Sequence, residues 1–276
     1  MGIYNIPDRQ YRAMDGVSQS RLKRLLVSGL EYNKPPPSQS DAFRLGSLID
    51  VMVLTPELVD DEFVIPPDFA NSRLNVDAKG NPSKSRNTAW CKAAIKEFAK
   101  DHVGMTFVSQ SEWDIANLLR TRCLSKPFMK DFFADKTAAT QVAMDGVICD
   151  VLCKGLADGL SSSLIFDLKS TRETTTESFR RSFFNYGYDF QLAFYLRLAW
   201  DNGFDFPIDN CYIVACSKLM PYDVVTYRIP AAWLEEAFTK VDTALEIYKR
   251  YRDNGCFDVG IDDGETYVNL DGSFEI

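Results

Sequence analysis

The chain has 276 residues, of which 46% are hydrophobic and 25% charged, and its formal net charge is −8 at pH 7. This is the composition of a water-soluble globular protein with a full core, and the acidic balance argues against an indiscriminate nucleic-acid binder, because such proteins are usually basic. No apolar run approaches the ~20 residues of a membrane-spanning helix, and the N-terminus lacks the basic and apolar regions of a signal peptide, so a cytoplasmic location is expected.

The first part of the chain is predicted to be mainly helical. A helix is predicted over residues 16–33, with Ser18 or Ser20 as its cap, and a second over 41–54, which ends before Pro56. Asp50 is the only acid after the start of this second, apolar helix. Helical periodicity alone places it on a solvated stripe.

A polar loop is predicted over residues 66–87, rich in Asn, Ser, Lys and Pro. Long loops of this kind are often functional, and this one carries several cations, which are Arg73, Lys79, Lys84 and Arg86. A purely solvated loop is an equally good interpretation of each cation taken alone.

The second part of the chain alternates strands with helices. Helices are predicted at 88–101, 109–122, 126–133, 176–202 and 231–253, the last capped by Asn254-Gly255, and strands at 138–143, 146–154, 163–170, 210–217 and 223–229. This order predicts an α/β fold with a mixed central sheet flanked by helices, and an N-terminal helical region. We expect a single domain over 1–276, with a helical part at 1–135, an α/β core at 136–255 and an irregular, acidic tail at 256–276.

The cysteines are predicted to be buried, reduced thiols. They are odd in number, and none forms a Cys-x-x-Cys pair; they stand at positions 91, 123, 149, 153, 211, 216 and 256. His102 is the only histidine. These spacings argue against a zinc site or an iron–sulfur cluster.

The strand at 163–170 carries Asp167 and Lys169 two residues apart. Side chains alternate across a strand, so both emerge on one face while their apolar neighbours point to the other. Charges in an apolar strand are costly unless they are paired or bind a metal. Asp158 stands nine residues before Asp167, beside Gly155 and Gly159, and an Asp followed by Asp-x-Lys on the next strand is an arrangement that holds Mg²⁺ against a phosphodiester. The alternative is a structural Asp–Lys pair at a sheet edge.

One face of the predicted helix 176–202 carries Gln191 and Tyr195, with Phe184 and Tyr188 extending the same stripe. For the aromatic residues, packing on the sheet is the favoured interpretation. Gln191 differs, because an amide on an apolar stripe needs hydrogen-bond partners. Since this helix follows the Asp-x-Lys strand, Gln191 is expected near the metal site or the substrate phosphates.

Four strings in this order resemble the RecE-type exonucleases of the restriction-endonuclease-like, PD-(D/E)xK nuclease superfamily. They are Leu-Gly-Ser-Leu-Ile-Asp50, Lys-Gly-Leu-Ala-Asp158, Asp167-Leu-Lys169-Ser-Thr and Asn185-Tyr-Gly-Tyr-x-x-Gln191-x-x-x-Tyr195. The resemblance covers about residues 10–255. It implies a phage or prophage exodeoxyribonuclease that degrades one strand of linear duplex DNA from its 5′ end. The 3′ tails that remain would serve a strand-annealing protein partner, and the nuclease would form a ring-shaped homo-oligomer, a trimer or tetramer, with no membrane association.

The resemblance also implies roles for single residues. Asp158, Asp167 and the Leu168 carbonyl would hold Mg²⁺, or Mn²⁺, as two ions ~3.5–4 Å apart. Lys169 would orient or help to deprotonate the attacking water, and Gln191 would contact a phosphate or the metal-bound water. The DNA contacts would come from Arg73, Lys84, Arg86 and Tyr195.

One position departs from the family pattern, since Asp50 stands where related proteins usually carry histidine. A carboxylate is a suitable hard ligand for Mg²⁺ or Mn²⁺, so Asp50 is expected to complete the metal shell. No other cofactor is expected.

Three alternative functions compete with this one. A structure-specific or single-strand DNA endonuclease of the same fold would have an identical catalytic core. Intact Asp158, Asp167 and Lys169 argue against a catalytically silent DNA-end-binding protein. A small-molecule α/β enzyme is disfavoured because the chain has no glycine-rich phosphate-binding motif.

Overall fold

The computed structural model describes residues 2–4, 8–35 and 41–254. The chain forms two compact units, Met1–Ser38 with Lys126–Ile276, and Gln39–Ser125. In the described part of the chain, no helix has the length and apolar character needed to cross a membrane.

The first unit is built on a seven-stranded mixed sheet. Its strands are β1 (Gly2–Tyr4), β2 (Val17–Ser18), β5 (Ala139–Ile148), β6 (Val151–Leu160), β7 (Ile165–Thr171), β8 (Cys211–Ser217) and β9 (Val224–Arg228). Its helices are α1 (Asp8–Ala13), α2 (Gln19–Leu25), α3 (Gly29–Asn33), α8 (Pro127–Ala134), α9 (Thr176–Asn185), α10 (Tyr188–Asp201) and α11 (Ala231–Asn254). The order along the sheet is β1-β5-β6-β7-β8-β9, and β2 pairs with β6. The pairing of β7 with β8 is parallel, which is why a helical crossover, α9 and α10, connects them.

The second unit contains the other described elements of the chain. They are α4 (Asp41–Leu54), α5 (Val59–Glu62), α6 (Ala89–Asp101), α7 (Gln110–Ser125), two 3₁₀ turns at Pro56–Leu58 and Phe69–Asn71, and the strands β3 (Phe63–Val64) and β4 (Thr106–Phe107). The prediction for helix 41–54 is confirmed, whereas the parallel pair of β3 with β4 was not predicted. The polar loop 66–87 is organised around the buried Asn75, whose amide donates to the carbonyls of Ala70 and Ser85.

The predicted turn between the first two long strands is wrong in position. β5 runs without interruption to Ile148, and the turn lies at Cys149 and Asp150, where φ is +49° and +61°. A left-handed turn at two non-glycine residues has little sequence signal, whereas the sequence predicts the turn at residues 144–145, with the second strand starting at Gly146. As a result Asp158, expected after the strand, lies within β6.

Two helices that were predicted as continuous are each broken. Residues 16–33 form β2, α2 and α3. There Ser18 occupies the N-cap position of α2 without a capping hydrogen bond from its side chain, and Ser28 caps α3 by accepting from the N–H of Glu31. Helix 176–202 is divided at Gly187, whose φ is +61°, so Phe184 lies on α9 and does not continue the stripe of α10. The predicted cap at Gly255 and the tail 256–276 lie outside the described residues.

A fork in the sheet positions the residues of the predicted site. β6 pairs with β5 along its length, but its other edge pairs with β7 only at Gly159 and Leu160. Farther along the same edge, β2 pairs with β6 at Cys153 and Lys154. Between these two pairings the edge of β6 has no strand partner among the described residues, and Asp158 lies at the point where β7 diverges.

Candidate active site

Strand β7 directs its charged and apolar side chains to opposite faces, as predicted. Phe166 is fully buried against α8, with ring centroids 5.8 Å from Phe128 and 4.8 Å from Phe132. Asp167, only 2% exposed, faces the other way and meets α10. The aromatic contacts of Phe166 therefore fix the strand from behind the site.

Asp167 lies at the centre of a short polar network. Gln191 donates its amide N–H to Asp167 Oδ1 at 2.7 Å, and Lys169 Nζ lies 2.6 Å from Asp167 Oδ2. The ring of Tyr188 lies below the same ammonium, with its centroid 5.1 Å from Nζ. The predicted partner for the Gln191 amide is thus a carboxylate of the site itself.

The charge of Lys169 is maintained by its acidic neighbours. Burial by itself would lower the pKa of Lys169, but the charges of Asp167 and Asp158 and the hydrogen bond to Asp167 outweigh it and hold the pKa above its ordinary value. Lys169 is therefore an ammonium throughout the neutral range in the metal-free protein.

Asp158 is held at the fork by two donors. Its Oδ2 accepts the backbone N–H of Leu168 at 2.7 Å, a group on the part of β7 that has left the ladder with β6. Its Oδ1 accepts the amide N–H of Gln141 at 3.1 Å. Gln141 lies in β5 with φ +50°, an unfavourable backbone for a non-glycine residue, and is an unpredicted member of the site.

The register explains why the strands diverge here. Gly159 pairs with Phe166, so one step farther a continuous antiparallel ladder would place Asp158 opposite Asp167. Two carboxylates directly opposite each other repel. The divergence allows a backbone N–H, an ammonium and two glutamine amides to surround the acidic pair, and each carboxylate receives one of those amides.

The donor set fits a hard divalent cation. Both carboxylates present oxygen atoms, and Oδ2 of Asp167 is buried with the Lys169 ammonium as its close neighbour. Within the described ranges, no cluster of three or more His, Cys, Asp or Glu side chains is arranged to hold a metal. Mg²⁺ is commonly bound by one or two carboxylates, with waters and substrate phosphates completing its shell, so this pair satisfies the protein's share.

The remaining predicted residues lie elsewhere in the chain. Asp50 is half-buried on α4, and Arg73, Lys84 and Arg86 are exposed around the loop 66–87, all within the second unit. Their roles as metal ligand and DNA contacts stay predictions.

Tyr195 is part of the interior of the first unit. It is 6% exposed, and burial raises its pKa well above the ordinary value. Its ring lies against Gly155, where a Cβ atom would approach Tyr195 Cδ1 to 2.9 Å. These contacts describe a packing residue that supports β6, and the predicted contact of Tyr195 with DNA has no support in them.

Two residues near the site carried no recognisable sequence signal. Gln141 lies in a strand on the far side of β6 in the sheet order, and Lys23 lies on α2, more than 140 residues before Asp167 in the sequence. Gln141 reaches the site because β5 pairs with β6, and Lys23 because it contacts the carbonyls of Tyr186 and Gly187; local sequence patterns reveal neither contact.

The fold and the sequence pattern are similar to those of known proteins. A family model described as "PDDEXK-like domain of unknown function (DUF3799)" matches residues 16–257. A crystal structure from Eubacterium rectale, described as a "putative exonuclease", matches with a TM-score of 0.59 and 16% identity, over 92% of this chain and 88% of that chain. At this identity the likeness concerns the fold, and the predicted restriction-endonuclease-like fold is confirmed. Among curated proteins, none matches the chain.

Proposed function

The chain belongs to the PDDEXK-like domain family DUF3799, and on this premise we propose that it is a metal-dependent exodeoxyribonuclease that degrades one strand of linear duplex DNA. The observation that carries the proposal is the arrangement of Asp158, Asp167 and Lys169 around the fork, with Gln191 bonded to Asp167. The description of the structural neighbour as an exonuclease supports the exonucleolytic mode.

The carboxylates and the lysine have separate tasks in this proposal. Asp158 and Asp167, with the Leu168 carbonyl, would hold two divalent ions, either Mg²⁺ or Mn²⁺. When bound, such ions supply the positive charge that stabilises the phosphoryl oxygens and the leaving 3′ oxygen during hydrolysis. Lys169, held as an ammonium beside Asp167, orients the attacking water through an N–H of its Nζ.

Gln191 sets the orientation of Asp167. Its amide occupies Oδ1 of that carboxylate, so Oδ2 is directed toward Lys169 and is the oxygen that a cation would share. Burial of this group in an interior of low dielectric strengthens its interaction with a cation. The remaining amide atoms of Gln191 can make the contact expected from the sequence, with a phosphate or with the metal-bound water.

The finer parts of the proposal come from the family resemblance. We propose digestion from the 5′ end, which leaves 3′ single-stranded tails for a strand-annealing partner, and a ring-shaped homo-oligomer, a trimer or tetramer, that encloses the duplex. A ring retains DNA by topology, so it needs less positive surface than an open binder. This accounts for an acidic chain, with a net charge of −8, acting on a polyanion.

Linear duplex DNA should be digested in the presence of Mg²⁺, and covalently closed circular duplex should be spared. A protein that starts at ends has no entry on a closed circle. The measurement is release of label from linear duplex labelled at the 5′ or the 3′ end, in parallel with gel analysis of closed circles. Activity should fall with salt, because each phosphate contact releases counterions.

Rapid nicking of closed circles, with products of random length, would instead identify an endonuclease of the same fold. Release of the 3′ label before the 5′ label would reverse the proposed polarity. Light scattering that gives a monomer at working concentration would remove the ring from the proposal.

The contribution of Asp50 can be tested by metal titration. If it is a ligand, Asp50→Ala should raise the Mg²⁺ concentration needed for half-maximal rate, and Asp50→His should partly restore the parental value, because imidazole stands at this position in related proteins. Asp60→Ala serves as the control, since Asp60 is an exposed acid in the same unit. Identical titration curves for both Asp50 variants and the parent would remove Asp50 from the metal shell.

A further inference from the structure

The joint between α9 and α10 sets the position of the first turn of α10, which carries side chains of the site. It consists of Tyr186 and Gly187, and the left-handed φ of +61° at Gly187 turns the chain between the two helices. The Gly187 carbonyl accepts the N–H of Gln191 at 3.1 Å and so opens the hydrogen-bond ladder of α10. Tyr186 is 65% exposed, and its ring contacts the ring of Tyr188, with the centroids 5.8 Å apart.

The joint is anchored by a lysine from a distant part of the chain. Lys23 on α2 donates its ammonium to the Tyr186 carbonyl at 3.1 Å and to the Gly187 carbonyl at 3.4 Å. Its stem also packs on the joint, since a Cβ atom at Gly187 would lie 3.0 Å from Lys23 Cδ. The Gly187 carbonyl thus accepts hydrogen bonds from both the Lys23 ammonium and the Gln191 N–H.

Two side chains that touch the reacting groups follow directly from this joint. Tyr188, the first residue of α10, places its ring below Lys169, and Gln191 donates to Asp167 one turn later. A shift of the joint would therefore move the partners of both the acid and the lysine.

We infer that Lys23 is a positioning residue of the active site: by holding the carbonyls of Tyr186 and Gly187, it fixes the start of α10 and thereby orients Gln191 and Tyr188 against Asp167 and Lys169. The inference rests on the proposed nuclease function of this site and adds to it a residue that acts through the helix joint without touching the reacting atoms.

The electrostatic setting of Lys23 agrees with this role. Burial, followed by the charge of Lys169, lowers the pKa of Lys23 to about 8, while Asp167 and Asp189 act in the opposite direction. The ammonium groups of Lys23 and Lys169 repel each other. Contacts such as the hydrogen bonds from Lys23 to the joint carbonyls must offset this repulsion. At pH 7 the group is still mainly protonated and can donate to both carbonyls.

The test compares two substitutions at Lys23 with a neighbouring control. Lys23→Met keeps the length of the stem and removes the donors, whereas Lys23→Arg keeps donors and charge. Arg24→Met is the matched control, because Arg24 lies on the same helix and also donates to a backbone carbonyl, that of Lys34. All three are measured with linear duplex at saturating Mg²⁺, together with thermal unfolding.

We expect Lys23→Met to lower kcat by ~10- to 100-fold, since small displacements of groups in a catalytic site have effects of this size, with the KM for DNA nearly unchanged. Lys23→Arg should recover much of the loss, and Arg24→Met should resemble the parent. In a double-mutant cycle with Gln191→Met, the two losses should not add, because Lys23 acts through Gln191.

A second readout does not depend on catalysis. Amide hydrogen exchange of the metal-free protein should increase over residues 186–191 in Lys23→Met and stay at the parental rate in Arg24→Met. If Lys23→Met does not fold, Lys23→Gln, whose shorter side chain has an uncharged amide NH₂ with two N–H donors, is measured with the same expectations.

Parental kcat and parental exchange in the Lys23 variants would overturn the inference. A rise in KM with unchanged kcat would also overturn it, because that result describes a DNA contact. Absence of nuclease activity in the parent protein would contradict the proposed function instead, and the two failures are therefore distinguishable.

Discussion

Replacement of Asp167 by asparagine should abolish DNA cleavage. Asparagine has nearly the same shape, so the contact with Gln191 can be retained, but the negative charge that binds the cation is lost. Loss of a metal ligand removes several kcal/mol of transition-state stabilisation, a decrease in rate of ~10³-fold or more. The rate is measured on end-labelled linear duplex, and metal affinity is measured separately by titration of the protein with Mn²⁺.

The substitution also leaves the half-buried Lys169 ammonium without its ion-pair partner Asp167, which by itself destabilises the fold. The double variant Asp167→Asn/Lys169→Met removes this unpaired charge and should recover stability without recovering activity. Asp209→Asn is the control, because it also removes an acid from an ion pair, with Arg228 at 2.6 Å, but at an exposed position. Near-parental cleavage by a folded Asp167→Asn protein would refute the assignment of the site.

Substitution of Gly159 by alanine should damage both stability and activity. A Cβ atom at this position would lie 1.9 Å from Cε1 of the Phe166 ring, a distance that no side chain tolerates without movement. Phe166 cannot withdraw freely, because its ring is fixed by Phe128 and Phe132. Overpacking of this kind costs ~1–3 kcal/mol or more.

The effect on activity follows from the place of Gly159 in the sheet. Its pair with Phe166 is the last one before the fork, so a displacement there is passed directly to Asp158 and Asp167, the next residues on each strand. We expect a lower urea midpoint and a lower kcat in the same variant.

A double-mutant cycle with Phe166→Leu separates the collision from other causes. A smaller side chain at position 166 makes room for the new methyl group, so Gly159→Ala should destabilise the Phe166→Leu protein less than it destabilises the parent. Equal losses of unfolding free energy in the two backgrounds would show that contact with the Phe166 ring is not the reason.

The core of the site could be predicted from the sequence because it is encoded locally. Side chains alternate along any strand, so an Asp-x-Lys pair in an apolar run places both charges on one face, whatever the rest of the fold. The same reasoning predicted that an amide on the apolar stripe would need a partner, and Gln191 has one in Asp167. The order of these motifs was also enough to indicate the superfamily.

The breaks between elements were harder to predict from the sequence. The sequence predicts a continuous helix through Gly187, whereas a left-handed φ of +61° at this residue divides it into α9 and α10. The turn at Cys149 and Asp150 likewise adopts positive φ values that neither residue prefers. The pairing of β5 with β6 over their full length enforces this turn.

Only the tertiary structure decided how the acidic pair is held. The divergence of β7 from β6, the pairing of β2 with the same edge, and the approach of Gln141 and Lys23 all join residues that are far apart in sequence. Alternation and helical spacing describe one element at a time. The chain by itself therefore determined which residues carry the charge, whereas the geometry in which they can share a cation depends on contacts between elements, since burial and strand register are properties of the assembled sheet.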